Sequence, residues 1–101
     1  MRGLPIPLPV DGIADFCRRW KVTELALFGS VLRADFGDAS DVDVLVTFSD
    51  EAGWSALDLV AAADELAELL GRRVDLVEKS ALRNPFRRHA ILHSAQVVYA
   101  A

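Results

Sequence analysis

GSVLRADFGDASDVD, residues Gly29 to Asp43, opens on a Gly-Ser pair and closes on two aspartates one residue apart. What lies on either side decides the fold. Upstream, Thr23 to Phe28 (TELALF) reads as a strand that Gly29 stops. Ser30 to Phe36 fits a short helix leaving that stop, and Gly37 to Ser40 (GDAS) is turn chemistry. Downstream, Asp41 to Phe48 (DVDVLVTF) alternates: Val42, Val44, Val46 and Phe48 face one way, and Asp41, Asp43, Leu45 and Thr47 the other.

Further along, Ser55 and Asp58 make a capping box, and Leu59, Ala63, Leu66 and Leu70 form a helical stripe. Asp58, Glu65 and Glu68 lie opposite that stripe, and Gly71 suits the helix end. Arg73 to Val77 is a third strand. Asn84-Pro85 starts a helix running to about His93, and Gln96 to Tyr99 is a last strand. Before all of these, Asp11 is placed to cap a helix whose Ile13, Phe16, Cys17 and Trp20 share one face.

The order predicts a single-domain α/β fold: a mixed sheet flanked by helices. The Asp41 strand, the long helix and the Arg73 strand form a right-handed parallel crossover. The link between the first two strands is shorter than most parallel crossovers, so that pair is expected to be antiparallel.

This connectivity brings distant residues together. Asp41 and Asp43 leave one face of their strand roughly 6 to 7 Å apart. Asp75 sits early in the next parallel strand, and the antiparallel strand delivers Gly29-Ser30 to the same sheet end. Three crowded carboxylates repel, and a divalent cation relieves that cost. Mg²⁺ takes oxygen ligands and shares them with substrate phosphates, and two such ions clamp both oxygens of a phosphoryl displacement. Gly29 admits close backbone approach, and a helix starting at Ser30 offers free N–H groups to phosphate. The set fits nucleotide transfer from a metal-bound triphosphate. The bland reading is an exposed edge strand with acidic turn residues. Gly-Ser, ten residues, then Asp-x-Asp arises by chance in roughly one in a thousand chains of this length.

Gly29-Ser30, ten residues and Asp41-Val42-Asp43 resemble the signature of the nucleotidyltransferase superfamily with the polymerase-beta-like fold. The short length and the tail LRNPFRRHAILHSAQVVYA are similar to the minimal nucleotidyltransferases, the MNT or MntA-type antitoxins. The resemblance implies that Gly29 and Ser30 bind the triphosphate, with Arg33 near phosphate. It implies that Asp41 and Asp43 are metal ligands, and that Asp75 is the third ligand and the base toward the attacking hydroxyl. Many minimal members have Gly directly after the arginine; here it is Ala34, with Gly37 further on. The implied activity is Mg²⁺-dependent transfer of AMP from ATP to a tyrosine of a HEPN-type toxin, an RNase, which silences it. Two rivals share the residues. One is an antitoxin that neutralises its partner by complex formation alone; the other is a small-molecule nucleotidyltransferase, a class that usually carries an extra acceptor-binding domain.

Composition bounds these readings. A chain of 101 residues is one domain's worth, burying roughly two-thirds of its unfolded surface. The apolar fraction of 52% and mean hydropathy of +0.26 mean either a core dense in Ala, Val and Leu or apolar surface covered by a partner. A net charge of -4 gives no global electrostatic case for direct nucleic-acid or membrane binding. The lone Cys17 forbids an intrachain disulfide and suits a reducing cytoplasm. Residues 1–10, broken by Pro5, Pro7 and Pro9, read as an extended lead-in to a domain over 11–101, without the apolar helix of a signal peptide.

Four secondary features remain. Arg83, Arg87, Arg88 and His89 form a basic patch, which suits ATP phosphates, an acidic partner or simple solvation. His89 and His93 have metal-ligand spacing but no evident third ligand. Trp54 is expected to pack or to cover a base or partner, and Tyr99 to join the core with its hydroxyl at the edge.

Overall fold

The computed structural model describes residues 8–29 and 41–101. Of the expected lead-in over residues 1–10, residues 1–7 lie outside the described residues, as do the expected short helix and turn of Ser30 to Ser40. The lead-in is shorter than expected, because Val10 already belongs to the first helix. The elements are α1 (Val10–Arg19), β1 (Val22–Phe28), β2 (Val42–Phe48), α2 (Ala56–Leu70), β3 (Val74–Glu78), α3 (Pro85–Ser94) and β4 (Gln96–Ala100). A short 3-10 turn, Lys79–Ala81, joins β3 to the segment before α3.

The strand order is β3-β2-β1-β4. β1 is antiparallel to β2 and to β4, and β2 is parallel to β3. The mixed sheet and both expected orientations are therefore observed. A bulge between Val22 and Glu24 lets Val22 face one side and Glu24 the other, although both occupy even positions.

The alternation of β2 divides the protein into two cores. Val42, Val44 and Val46 are buried on the face covered by α1 and α2, with Ile13, Phe16, Cys17, Leu25, Leu27 and Leu66. Leu45 is buried on the other face with Ala26, Phe28, Leu82 and Ile91, under α3 and the chain before it. The second core is much smaller and ends before the strand ends, so polar side chains on that face reach solvent.

Helix boundaries follow cap chemistry with one correction. The α1 N-cap is Pro9, not Asp11, and the Ile13 amide donates to the Pro9 carbonyl at 2.9 Å. The fixed φ of proline suits the approach to a helix, and Asp11 instead lies in the first turn, where a carboxylate complements the dipole. The Ser55–Asp58 capping box forms as expected, with amide-to-side-chain distances of 2.9 and 3.2 Å. Gly71 ends α2 in the left-handed region, at φ 71°. Asn84 caps α3 by accepting from the Phe86 and Arg87 amides, with Pro85 in the first turn.

The stripe of α2 is rotated slightly from expectation. Ala62 is fully buried with Leu66 and Leu70, whereas Ala63 is half-buried. Glu65, expected opposite the stripe, instead ties α2 to α1. It accepts from both terminal nitrogens of Arg19 and, at 3.1 Å, from the Trp20 indole. The Arg19 guanidinium holds the Glu65 carboxyl below its usual value, more than partial burial raises it. Trp54 packs, as expected: it meets Trp20 edge-on at 4.9 Å and donates to the Trp20 carbonyl at 2.8 Å. Tyr99 packs on the larger core.

Candidate functional site

The start of β2 is where the chemistry gathers. On one side Asp43 pairs with Phe28, the last residue of β1. On the other it pairs in register with Asp75 of β3. Paired residues on neighbouring strands are about 4.8 Å apart in the hydrogen-bonding direction. Leu45 and Val77, the next residues of the same parity, both belong to the smaller core. Asp43 and Asp75 thus leave the sheet on that face, beyond the edge of its apolar cover. Asp43 is half-buried; Asp41 and Asp75 are exposed.

Gly29 completes the close contact. Its φ is +72°, which costs a side-chain-bearing residue about 1–2 kcal/mol. A Cβ there would lie 3.0 Å from Asp43 Cγ and overlap Oδ2 outright. Glycine is therefore required twice, for the backbone angle and for the space the Asp43 carboxylate occupies.

Asp41 precedes β2, and its Oδ1 lies 3.0 Å from Arg73 Nε. The Val42 amide donates to the Arg73 carbonyl at 2.9 Å, locking the strand starts together. Arg73 did not stand out in the sequence as a site residue. The signal was available: the parallel register offsets β2 and β3 by a constant step, so matching Asp43 with Asp75 also matches Asp41 with Arg73. Both side chains are more than half exposed, at 51% for Asp41 and 80% for Arg73. Such a pair contributes roughly 0–1 kcal/mol and leaves the carboxylate able to change partner.

Four of the expected site residues, Gly29, Asp41, Asp43 and Asp75, are thus gathered at one sheet end; Ser30 and Arg33 lie outside the described residues. Among the described residues, no three His, Cys, Asp or Glu side chains are placed to hold a metal ion by themselves. The carboxylates supply only hard oxygen donors. They fit an ion that takes one or two protein carboxylates and completes its shell with substrate phosphates and water, as Mg²⁺ does.

The remaining expected features lie apart. His89 and His93 stack on exposed α3 with ring centroids 5.7 Å apart. In the basic patch, Arg88 braces the 3-10 turn by donating to the Lys79 carbonyl at 3.1 Å. Arg83, Arg87 and His89 are exposed. Cys17 is buried in the larger core, where desolvation pushes its thiol up to about 12; it is a packing residue, not a nucleophile. No described helix is long and apolar enough to cross a membrane.

Comparison with known proteins agrees with this fold. The family described as "Nucleotidyltransferase domain" matches residues 11–98. Protein adenylyltransferase MntA of Thermococcus cleftensis is 38% identical over 81 residues, covering 80% of this chain and 77% of its own. The fold is shared with a chain of a toxin-antitoxin crystal structure with AMP-PNP: TM-score 0.73, 22% identity, 93% of this chain and 75% of that one. It is shared too with a chain of a tri-AMPylated Shewanella oneidensis HEPN toxin in complex with MNT antitoxin. There the TM-score is 0.65 at 21% identity, over 91% and 70% of the two chains. The chain belongs to the nucleotidyltransferase-domain family, among its minimal, MntA-like members, and has their polymerase-beta-like fold.

Proposed function

We propose that this chain transfers AMP from ATP to a hydroxyl, a tyrosine's, of a HEPN-type partner toxin and thereby acts as its antitoxin. The observation that carries the reading is the register of Asp43 with Asp75, with Gly29 packed beneath the Asp43 carboxylate. MntA-type naming among the relatives and toxin complexes among the structural neighbours support the partner class.

In this reading Asp41 and Asp43 hold Mg²⁺, as two ions, together with the phosphates. The metal's chemistry is to neutralise charge on the triphosphate and on the leaving pyrophosphate. Gly29 lets the nucleotide approach the end of β1, and Ser30 and Arg33 contact phosphate. Asp75 accepts the proton of the acceptor hydroxyl. The hydroxyl oxygen forms a bond to the α-phosphorus, the bond from that phosphorus to the bridging oxygen breaks, and pyrophosphate leaves with the electron pair. The setting is cytoplasmic, where ATP is available and Cys17 stays reduced.

The test is labelled ATP, Mg²⁺ and the cognate HEPN-type protein, with wild type against Asp43→Ala. Wild type should label the partner, and Asp43→Ala should fall near background while retaining its fold by circular dichroism. Equal labelling by both refutes the mechanism. Titrating partner activity separates the binding-only alternative: catalytic silencing needs ATP and far less than one equivalent of this chain.

A further inference from the structure

β3 is an edge strand: among the described residues, β2 pairs with one side of it and no strand with the other. Beside that free edge runs an open groove. Its wall on α2 is Leu59, Val60 and Ala63; its floor includes Asp75, Leu76 and Glu78 of β3. Val60 is 58% exposed, and Leu57, one turn earlier, 81%. Apolar side chains this open at a strand edge invite a covering chain. The groove also contains Asp75, so whatever lies in it arrives at the proposed base.

We infer that this groove docks the acceptor: an extended segment of the partner protein adds to the β3 edge and presents its hydroxyl to Asp75. The inference rests on the adenylyl-transfer reading and deepens it. Strand addition fixes geometry through main-chain pairing and leaves specificity to alternate side chains. The partner residue opposite Asp75 points to the same sheet face, about 4.8 Å across the ladder. That residue carries the acceptor hydroxyl. Its two neighbours point to the opposite face, over Leu59, Val60 and Ala63, and are apolar. A residue three positions away meets Glu78, which selects Lys or Arg there. The recognised sequence is therefore a hydroxyl residue between two apolar ones, with a basic residue three positions off.

The experiment measures AMP transfer to two acceptors. One is the cognate HEPN-type protein. The other is a synthetic peptide with tyrosine between two valines and a lysine three positions away. A control peptide replaces the valines with aspartates. Val60→Glu places a charge on the groove wall at an exposed site; Ala61→Glu places one on the exposed surface of α2 outside the groove. Binding of a fluorescent ATP analogue is measured for each variant. Val60→Glu should raise KM for both acceptors about tenfold, the loss expected from one buried apolar contact. It should leave kcat and ATP-analogue affinity unchanged. Ala61→Glu should behave as wild type, and the aspartate peptide should be a poor acceptor. Three results overturn the docking inference while sparing the transfer reading: a wild-type KM for Val60→Glu, equal use of the two peptides, or labelling of the protein but of neither peptide. A wild type that binds the ATP analogue and labels no acceptor overturns the transfer reading, and the inference with it.

Discussion

Gly29→Ala separates two effects that usually arrive together. Gly29 and Gly71 have nearly the same backbone angle, φ +72° and +71°. Forcing an alanine into that region costs about 1–2 kcal/mol at either position. The surroundings differ. At Gly71 an added methyl meets nothing within 4 Å; at Gly29 it lies 3.0 Å from Asp43 Cγ and 3.3 Å from Asp43 Cβ, and it overlaps Oδ2. The Asp43 backbone cannot yield, because Phe28 and Asp75 pair with it on both sides. Its carboxylate must rotate away, and a displacement of about 1 Å at a reacting centre can cost about 100-fold in rate. Urea unfolding should show both variants destabilised, Gly29→Ala at least as much as Gly71→Ala. Initial rates of AMP transfer, taken where both remain folded, should then diverge: Gly71→Ala at the wild-type rate, Gly29→Ala down by about two orders of magnitude. If Gly29→Ala transfers as fast as Gly71→Ala, the Asp43 carboxylate is not where the reaction needs it.

Further outcomes follow from the packing and the charges. Leu66, fully buried between α2 and the sheet, should lose about 2–5 kcal/mol as Leu66→Ala, read from the urea midpoint. Glu65 has a folded pKa below its unfolded one, so its contribution is present above the unfolded pKa and is lost as pH falls through the folded one. Wild type should therefore exceed Glu65→Gln by about 1 kcal/mol near neutral pH, a figure reduced for partial exposure, and the two should converge in acid; a constant gap refutes the pairing. Cys17, pushed up to about 12, should react with thiol reagents at mildly alkaline pH only as fast as the protein unfolds. Chelating divalent metal should abolish AMP transfer, and restoring Mg²⁺ should recover it.

The legible parts of the fold were those written in local chemistry. The Ser55–Asp58 box and Gly71 bracket α2 because each end satisfies its own orphan backbone groups within a few residues. The alternation of β2 was equally plain, since a period of two has one solution once a face is buried. The missed features depend on partners remote in sequence. Glu65 reads as a solvent-face residue until α1 brings Arg19 and Trp20 beside it. The five residues of β4 contain nothing that names β1 as their neighbour, because edge pairing is decided by which strand is left uncovered. Asp41 and Asp43 looked like an equivalent pair, and only the register shows Asp41 meeting Arg73 while Asp43 meets Asp75.

The site exists because β2 has one antiparallel and one parallel neighbour. An antiparallel strand brings its end to the start of β2; a parallel strand brings its start there. Gly29 and Asp75 can therefore both stand beside Asp43 although each lies outside the Asp-x-Asp pair. Reversing β1 alone would carry Gly29 to the far end of a seven-residue strand, about 20 Å away. Reversing β3 in place would move Asp75 from beside Asp43 to beside Leu45, two residues' rise or about 7 Å. The spacer between Gly29 and Asp41 has to be short enough to make the first pair antiparallel, and the α2 crossover long enough to make the second parallel. The same asymmetry leaves β3 at the sheet's edge, with Asp75 both beside Asp43 and in an open groove. A residue in the middle of the sheet could meet the Asp43 carboxylate but not an incoming protein segment; the edge position allows both.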